Sequence, residues 1–225
     1  MPSIRALIVA DTESKYIWDH FDKQAIGKVD VILSCGDLKA SYLSFLTTMV
    51  AAPLYYVCGN HDGSYIKNPP EGCDRLDNKI VNVKGVRIMG FSGCKSRSPK
   101  PFHYSEKDVH RQVVKRIPQL CLRGGFDVLV THAPAFELGD GKDTFHQGFK
   151  SYRTLIDMFK PSFHFHGHQH MNYGAAKREI QYGNTRIING YGYHIINIDV
   201  PDKKHSRLSY LMTRYQWEKN NAASF

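Results

Sequence analysis

The chain has 225 residues, of which 42% are hydrophobic, 12% aromatic and 23% charged, and its formal net charge is +9. These values exclude a disordered chain and supply apolar residues for one compact core, so we expect a single domain over residues 1–225. No segment approaches the roughly 18 consecutive apolar residues of a membrane span. The excess of Lys and Arg favours anionic partners, such as phosphate esters, nucleotides or nucleic acid.

The cysteines indicate a reducing environment. Five of them are scattered along the chain without a C-x-x-C pair, which is typical of free thiols. The apolar run over residues 4–10 ends at Asp11 with no small-residue cleavage site, so we expect no signal peptide. The sequence therefore predicts a cytoplasmic protein.

The first sixty residues alternate strands with helices. Apolar runs at 4–10, 29–34 and 54–58 predict buried strands. One helix is expected from the stripe of Ile17, Phe21 and Ala25, and a second over the apolar residues between Tyr42 and Val50. Right-handed crossovers would make this sheet parallel.

The rest of the chain adds further strands and two longer helices. Lys84-Gly85 predicts a hairpin between strands at 80–83 and 86–91. A helix begins after Ser105, and Pro118 should end or kink it. The other expected elements are strands at 127–131 and 163–166, a helix over 152–159, and short strands at 177–181, 185–189, 194–200 and 207–215. We expect the last four in an antiparallel second sheet, giving an α/β fold of two mixed sheets with helices outside.

Polar residues follow five of the predicted strands at the point where each strand ends. They are Asp11-Thr12-Glu13, Gly36-Asp37, Gly59-Asn60-His61-Asp62, His132, and Gly167-His168-Gln169-His170. Loops after parallel strands meet at one sheet edge, so carboxylates, an amide and imidazoles should converge there. Each motif alone is weak, but the ordered set indicates a metal-dependent site.

This set resembles the blocks of the calcineurin-like metallophosphoesterases, which are D-x-H, G-D, G-N-H-[DE], a strand-terminal His and G-H-x-H. The later blocks and their surroundings are similar to the small bacterial phosphodiesterase-like branch. The resemblance covers about residues 4–199 and implies a four-layer αββα sandwich. One block departs from the family pattern, because Glu13 stands where the family has His.

The resemblance implies two metal ions. The first would be held by Asp11, Glu13, Asp37 and His170, and the second by Asp37, Asn60, His132 and His168, with Asp37 shared. Because Glu13 adds a hard oxygen donor, Mn²⁺ or iron is favoured, with Mg²⁺ and Zn²⁺ as alternatives.

The mechanism expected from two ions is in-line attack of a bridging hydroxide on phosphorus. His61, oriented by Asp62, is the candidate general acid for the leaving group. Candidate substrate contacts are Lys95, Arg97 and His146, although a solvated basic loop explains Lys95 and Arg97 equally well. His164 and His166 fit structural histidines on one strand face, and Cys35 and Cys58 fit small buried side chains.

Three functions remain open. The favoured one is hydrolysis of phosphodiesters, or of monoesters, in a small nucleotide-like molecule. A nuclease of the same chemistry is the second, since the +9 charge permits a nucleic-acid partner. The third is a non-catalytic scaffold, because the family includes such a member, a retromer subunit, and Glu13 replaces a usual ligand.

Overall fold

The computed structural model describes residues 1–171 and 177–200, which form two large sheets with helices on their outer faces. The strands are β1 Ser3–Ala10, β2 Val31–Ser34, β3 Leu54–Tyr56, β4 Cys73–Arg75, β5 Ile80–Val83, β6 Val86–Phe91, β7 Cys94–Lys95, β8 His103–Tyr104, β9 Val128–Thr131, β10 Phe163–His166, β11 Glu179–Tyr182, β12 Thr185–Asn189 and β13 Gly192–Asp199. The α-helices are α1 Lys15–Asp19, α2 Lys23–Ile26, α3 Ala40–Val50, α4 Glu106–Leu122 and α5 Lys150–Phe159, and a 3₁₀ helix covers Asp62–Ile66.

Both large sheets are mixed, as expected. The first has the order β13-β1-β2-β3-β4, in which β1 to β4 are parallel and β13 is antiparallel to β1. The second has the order β11-β12-β10-β9-β6-β5, with a parallel centre and an antiparallel strand at each edge. Strands β7 and β8 form a small parallel pair. Parallel central strands place their carboxyl ends at one edge of each sheet.

Three apolar clusters separate four layers. The central cluster lies between the sheets and includes Ile8 of β1 and Val130 of β9. A second cluster joins the first sheet to α3, and a third joins the second sheet to α4 and α5. In β1, Ala6 and Ile8 face the other sheet whereas Leu7 faces the α3 side, as the two-residue period of a strand requires. The four-layer αββα sandwich is thus confirmed.

Two helix predictions need correction. The stripe of Ile17, Phe21 and Ala25 does not form one helix. Ile17 lies in α1 and Ala25 in α2, with Phe21 between them, because the Asp22 side chain accepts hydrogen bonds from N–H groups in the first turn of α2 and starts a new helix. Pro118 neither ends nor interrupts α4, which continues to Leu122. The carbonyl left unpaired by Pro118 belongs to Val114 on the exposed side of the helix, where water can bond it.

The C-terminal strands do not form a separate antiparallel sheet, so that expectation is wrong. Strand β12 is parallel to β10, and only β11 pairs antiparallel with it. Strand β13 crosses to the first sheet and pairs with β1 along its whole length. The strand predicted at 207–215 lies outside the described residues.

Among the described residues, no helix combines the length and the apolar character needed to cross a bilayer.

Candidate metal centre

Three predicted ligands from three different strand ends meet in one cluster. Asp37 follows β2, His132 follows β9 and His168 follows β10, and one ligand atom from each lies within 4.8 Å of the others. The rings of His132 and His168 have centroids 4.9 Å apart. The cluster spans both sheets, so it depends on the sandwich as a whole rather than on one loop.

Asn60 completes this cluster from the end of β3. Its Oδ1 lies 3.1 Å from His132 Nε2, and Asp37 Oδ2 lies 3.3 Å from the same nitrogen. His132 Nδ1 donates a hydrogen bond to the carbonyl oxygen of Cys35 at 2.8 Å, so in a neutral ring Nε2 holds the lone pair. In a neutral ring, two oxygen acceptors therefore face a third acceptor, His132 Nε2, and either a proton on that nitrogen or a bound cation satisfies them.

The pKa values of His132 and Asp37 also show that the cluster favours a positive charge. Burial would lower the pKa of His132, but the Asp37 carboxylate and its hydrogen bond raise it to about 9. Burial would likewise raise the pKa of Asp37, but His132 and the His61 N–H lower it to about 2. A bound metal ion would supply the charge that a proton on His132 supplies in its absence.

His168 is oriented as a neutral ligand. Its Nε2 donates to the carbonyl oxygen of Phe145 at 2.8 Å, which leaves Nδ1 with the lone pair. Burial and the neighbouring charge of His132 lower the pKa of His168 to about 3. A backbone carbonyl thus fixes the ring of each histidine, as metal-ligating histidines require.

Asp11 lies next to this cluster but outside it. Its Oδ1 accepts the His168 N–H at 2.9 Å, while its Oδ2 is buried without a hydrogen-bond partner in the described part of the chain. Burial is the main cause that raises the pKa of Asp11. An orphaned buried carboxylate oxygen beside Asp37 and His168 fits the position of a metal ligand.

The backbone at these strand ends is unusual. Asp11, Asp37 and His168 all have positive φ values, of 63°, 56° and 66°. Non-glycine residues rarely adopt this region, and such strain is concentrated at functional sites. Gly59 is needed for a different reason, since a Cβ there would collide with the Asp37 carboxylate and the His132 ring.

The remaining predicted ligands, Glu13 and His170, do not join the cluster. Glu13 Oε1 accepts the Lys39 N–H at 3.1 Å and lies 3.9 Å from Lys39 Nζ. His170 is exposed, and its ring lies 5.3 Å from that of Tyr191. Their assignment as ligands of a first ion therefore stays a prediction.

The candidate acid His61 lies at the rim of the cluster. Its N–H donates to Asp37 Oδ1 at 2.7 Å, and its Nε2 is 4.0 Å from Asp37 Oδ2, with 81% of the side chain exposed. Asp62 does not orient it, so that expectation is corrected. No hydrogen bond joins the two side chains in the described residues, and the buried Asp62 Oδ2 instead accepts the N–H groups of Gly59 and Asp37 at 2.7 and 2.8 Å.

The predicted substrate contacts differ in their placement. His146 lies beside the cluster, with its ring 5.3 Å from that of His168 and its Nδ1 bonded to Asp143 at 2.7 Å. Lys95 Nζ instead donates to Gln147 at 2.7 Å, which gives it a partner within the protein. Arg97 is exposed in the segment after β7. Roles for these three residues in substrate binding stay predictions.

The four side chains that the sequence suggested to be structural, His164, His166, Cys35 and Cys58, are buried. His164 and His166 share one face of β10, and His164 Nε2 is 2.8 Å from Thr131 Oγ1. Cys35 and Cys58 are buried free thiols, and burial raises the pKa of Cys58 to about 12. Sequence analysis missed the carbonyls of Cys35 and Phe145 that orient the two histidines, because a backbone atom leaves no signal in side-chain identity.

Comparisons with known proteins identify the family and the fold. The model of the calcineurin-like phosphoesterase superfamily domain matches residues 4–190. A search of curated proteins finds no match. Solved structures with the same fold include a dimetal phosphatase from Danio rerio (11% identity, TM-score 0.58, covering 85% of this chain and 88% of that one). TT1561 of Thermus thermophilus is also similar (12% identity, TM-score 0.53, covering 87% and 99%).

GAP50, the anchor in the inner membrane complex of Plasmodium, shares the fold as well, at 11% identity and a TM-score of 0.51, with 96% of this chain and 95% of that one covered. At these identities the structures show the fold alone, whereas the family model covers most of the chain. The protein therefore belongs to the calcineurin-like phosphoesterase superfamily, whose metal-dependent phosphoesterases use a dinuclear metal centre.

Proposed function

We propose that this protein is a metal-dependent phosphodiesterase that acts on a small nucleotide-like ester. The observation that supports it most directly is the convergence of Asp37, His132 and His168 within 4.8 Å, beside Asn60. These side chains offer two oxygen and two nitrogen donors, and buried donors of this kind are suited to a divalent cation.

One ion would be held by Asp37, Asn60, His132 and His168, and a second by Asp11, Asp37 and His170, with Glu13 as a further donor. Ions bound there would act as Lewis acids on phosphate oxygens and lower the pKa of water. The mixture of carboxylate, amide and imidazole donors favours Mn²⁺ or iron over Zn²⁺, with Mg²⁺ as an alternative.

His61 would supply the proton that a leaving alkoxide needs. It is the exposed imidazole at the rim of the cluster, and its N–H bond to Asp37 fixes its backbone relative to the ligands. Asp62 would act through the backbone as a positioning residue, since its carboxylate holds the loops after β2 and β3 together. His146 is placed to contact a substrate bound beside His168.

Two cavities flank the cluster, and this favours a diester. One, of about 400 Å³, is lined by residues that include Asp37, Lys39 and His61. The other, of about 340 Å³, is lined by residues that include Gln169 and His170, which directly follow His168. A phosphodiester has two organic substituents, and each cavity is large enough to hold one.

The state of the cysteines agrees with the proposed cytoplasmic location. No disulfide bond joins the five cysteines, all of which lie in the described part of the chain, and four of them are buried, which is usual in a reducing compartment.

The test is hydrolysis of bis(p-nitrophenyl) phosphate and p-nitrophenyl phosphate with Mn²⁺, Fe²⁺, Mg²⁺ or Zn²⁺, combined with elemental analysis of protein purified without chelator. We expect diester hydrolysis that is highest with Mn²⁺ or Fe²⁺. Asp37→Asn should lose at least about 100-fold in rate, since even residues behind the ligands cost 10–100-fold. The matched control Asp19→Asn, at an exposed position of α1, should keep the wild-type rate. No hydrolysis with any of the four ions would refute the proposal in favour of a scaffold.

A further inference from the structure

The cavity of about 340 Å³ beside the His168–His170 loop is lined by residues that, His170 apart, have no role in the metal chemistry proposed above. They come from the loop after β9 and from β10, β11 and β12, so that rigid sheet elements form much of its wall. Its volume lies in the range of small-molecule sites. What it binds can be inferred from the polar atoms that face it.

His166 presents one free ring nitrogen to this cavity. The residue is 2% exposed, and its Nδ1 donates to the carbonyl oxygen of Gly167 at 3.0 Å. In that tautomer Nε2 is an acceptor, and it has no partner among residues 1–171 and 177–200. Gly139 keeps the space in front of it open, since a Cβ there would lie 3.3 Å from His166 Nε2 and 3.5 Å from Ile180 Cδ1.

Asp140 provides a second acceptor. Its Oδ2 accepts the Gly148 N–H at 2.9 Å, whereas no described residue donates to its Oδ1. A half-buried carboxylate oxygen and an unpartnered imidazole nitrogen in one cavity call for a ligand that carries N–H donors.

The rest of the wall matches a flat ring attached to an anion. Ile187 is fully buried and, with Ile180, gives the cavity apolar surface. Lys177 and Arg178 line the same cavity with positive charge, and Arg178 Nη1 is held by the carbonyl oxygens of Asn189 and Tyr191 at 3.1 Å each. A planar heterocycle with N–H donors and a linked phosphate is a nucleotide.

We propose that this cavity binds the base of a nucleotide substrate, with guanine favoured because its N2–H group can donate to Asp140 and its adjacent N1–H group to His166. The proposal rests on the phosphodiesterase function and names its substrate class. It predicts discrimination among purines that differ at position 2: hypoxanthine lacks the amino donor, and xanthine carries an acceptor in its place.

The experiment measures inhibition of bis(p-nitrophenyl) phosphate hydrolysis by GMP, IMP and XMP, and their direct binding by calorimetry. The Ki of GMP should lie at least about tenfold below those of IMP and XMP, because a lost hydrogen bond to a charged acceptor costs that much.

Asp140→Asn is the decisive variant. Asparagine keeps an oxygen for the Gly148 N–H and turns an NH₂ donor toward the cavity, so the preference should shift from GMP to XMP. Lys115→Gln, at an exposed position of α4, is the control and should keep the wild-type order. Thermal melting of both variants checks their folding.

Equal Ki values for the three nucleotides in the wild type, or an unchanged order in Asp140→Asn, would overturn the proposal. If the wild type fails to hydrolyse the nitrophenyl diester, the phosphodiesterase function fails. The calorimetric order of GMP, IMP and XMP then still decides whether the cavity recognises a base.

Discussion

Asp62→Ala should show how far the metal centre depends on a residue that positions the metal ligands without being one of them. The Asp62 side chain is 3% exposed, and a single oxygen, Oδ2, accepts the N–H groups of both Gly59 and Asp37. That oxygen ties the loop that carries Asp37 to the loop that carries Asn60. Alanine removes it and leaves two N–H groups without an acceptor, one of them buried and one partly buried.

The loss of stability in Asp62→Ala can be estimated from these two hydrogen bonds. An unsatisfied buried donor costs about 1–3 kcal/mol, so we expect the free energy of unfolding to fall by about 2–5 kcal/mol in Asp62→Ala. The affinity for Mn²⁺ should fall about 10–100-fold, as when other residues that position metal ligands are removed. Urea denaturation in the presence of a chelator measures the first quantity, and calorimetric titration with Mn²⁺ measures the second.

Asp62→Asn is the matched control, because its amide oxygen can accept both N–H groups. Burial raises the pKa of Asp62 to about 6, so at pH 7 the carboxyl is ionised and its charge carries a desolvation cost that asparagine avoids. Asp62→Asn should therefore be at least as stable as the wild type at pH 7. Its advantage should shrink as the pH falls through 6, where the wild-type carboxyl takes up a proton. Equal unfolding free energies for Asp62→Ala and Asp62→Asn would refute the reasoning.

Three further outcomes are expected. His61→Ala should slow hydrolysis of an alkyl phosphodiester about 10²–10⁴-fold but that of a nitrophenyl ester far less, and equal losses would contradict an acid role. Burial holds the pKa of His164 well below its usual value, so only the unfolded chain takes up this proton below about pH 6.5. The unfolding free energy of the wild type should thus fall by up to about 1.4 kcal/mol for each pH unit below this value through this group. Urea denaturation of His164→Phe over the same pH range should lack that contribution. An identical pH dependence of the unfolding free energy in both proteins would disprove the prediction. Glu13→His should strengthen binding of a second Mn²⁺ ion in calorimetric titrations, because the Glu13 carboxylate is held by the Lys39 N–H, whereas His is the residue of the family pattern at this position. Unchanged binding would count against a ligand at position 13.

The cluster could be predicted from the sequence because strand ends are encoded locally. Apolar runs define where β2, β9 and β10 stop, and Asp37, His132 and His168 follow within a few residues. Parallel pairing then brings the ends of β9 and β10 to one edge, and the packing of the two sheets against each other places the end of β2 beside them. The same logic predicted the two mixed sheets.

Side-chain direction could not be predicted in this way, because it depends on competition between partners that are distant along the chain. Glu13 follows β1 as expected, yet its carboxylate bonds the Lys39 N–H, 26 residues away. Lys95 follows β6 as expected, yet its ammonium bonds Gln147, 52 residues away. Both are long, flexible side chains, so a partner at short range decides where they point.

Short ligands held by the backbone behave differently, and this explains why motif reading succeeds for them. The imidazoles of His132 and His168 are fixed by carbonyl oxygens of Cys35 and Phe145, which any residue would supply at those positions. Orientation is thus determined by where the chain passes rather than by which side chains it carries. A fold that fixes the path of the backbone therefore fixes these ligands too, whereas Glu13 needs a partner of its own.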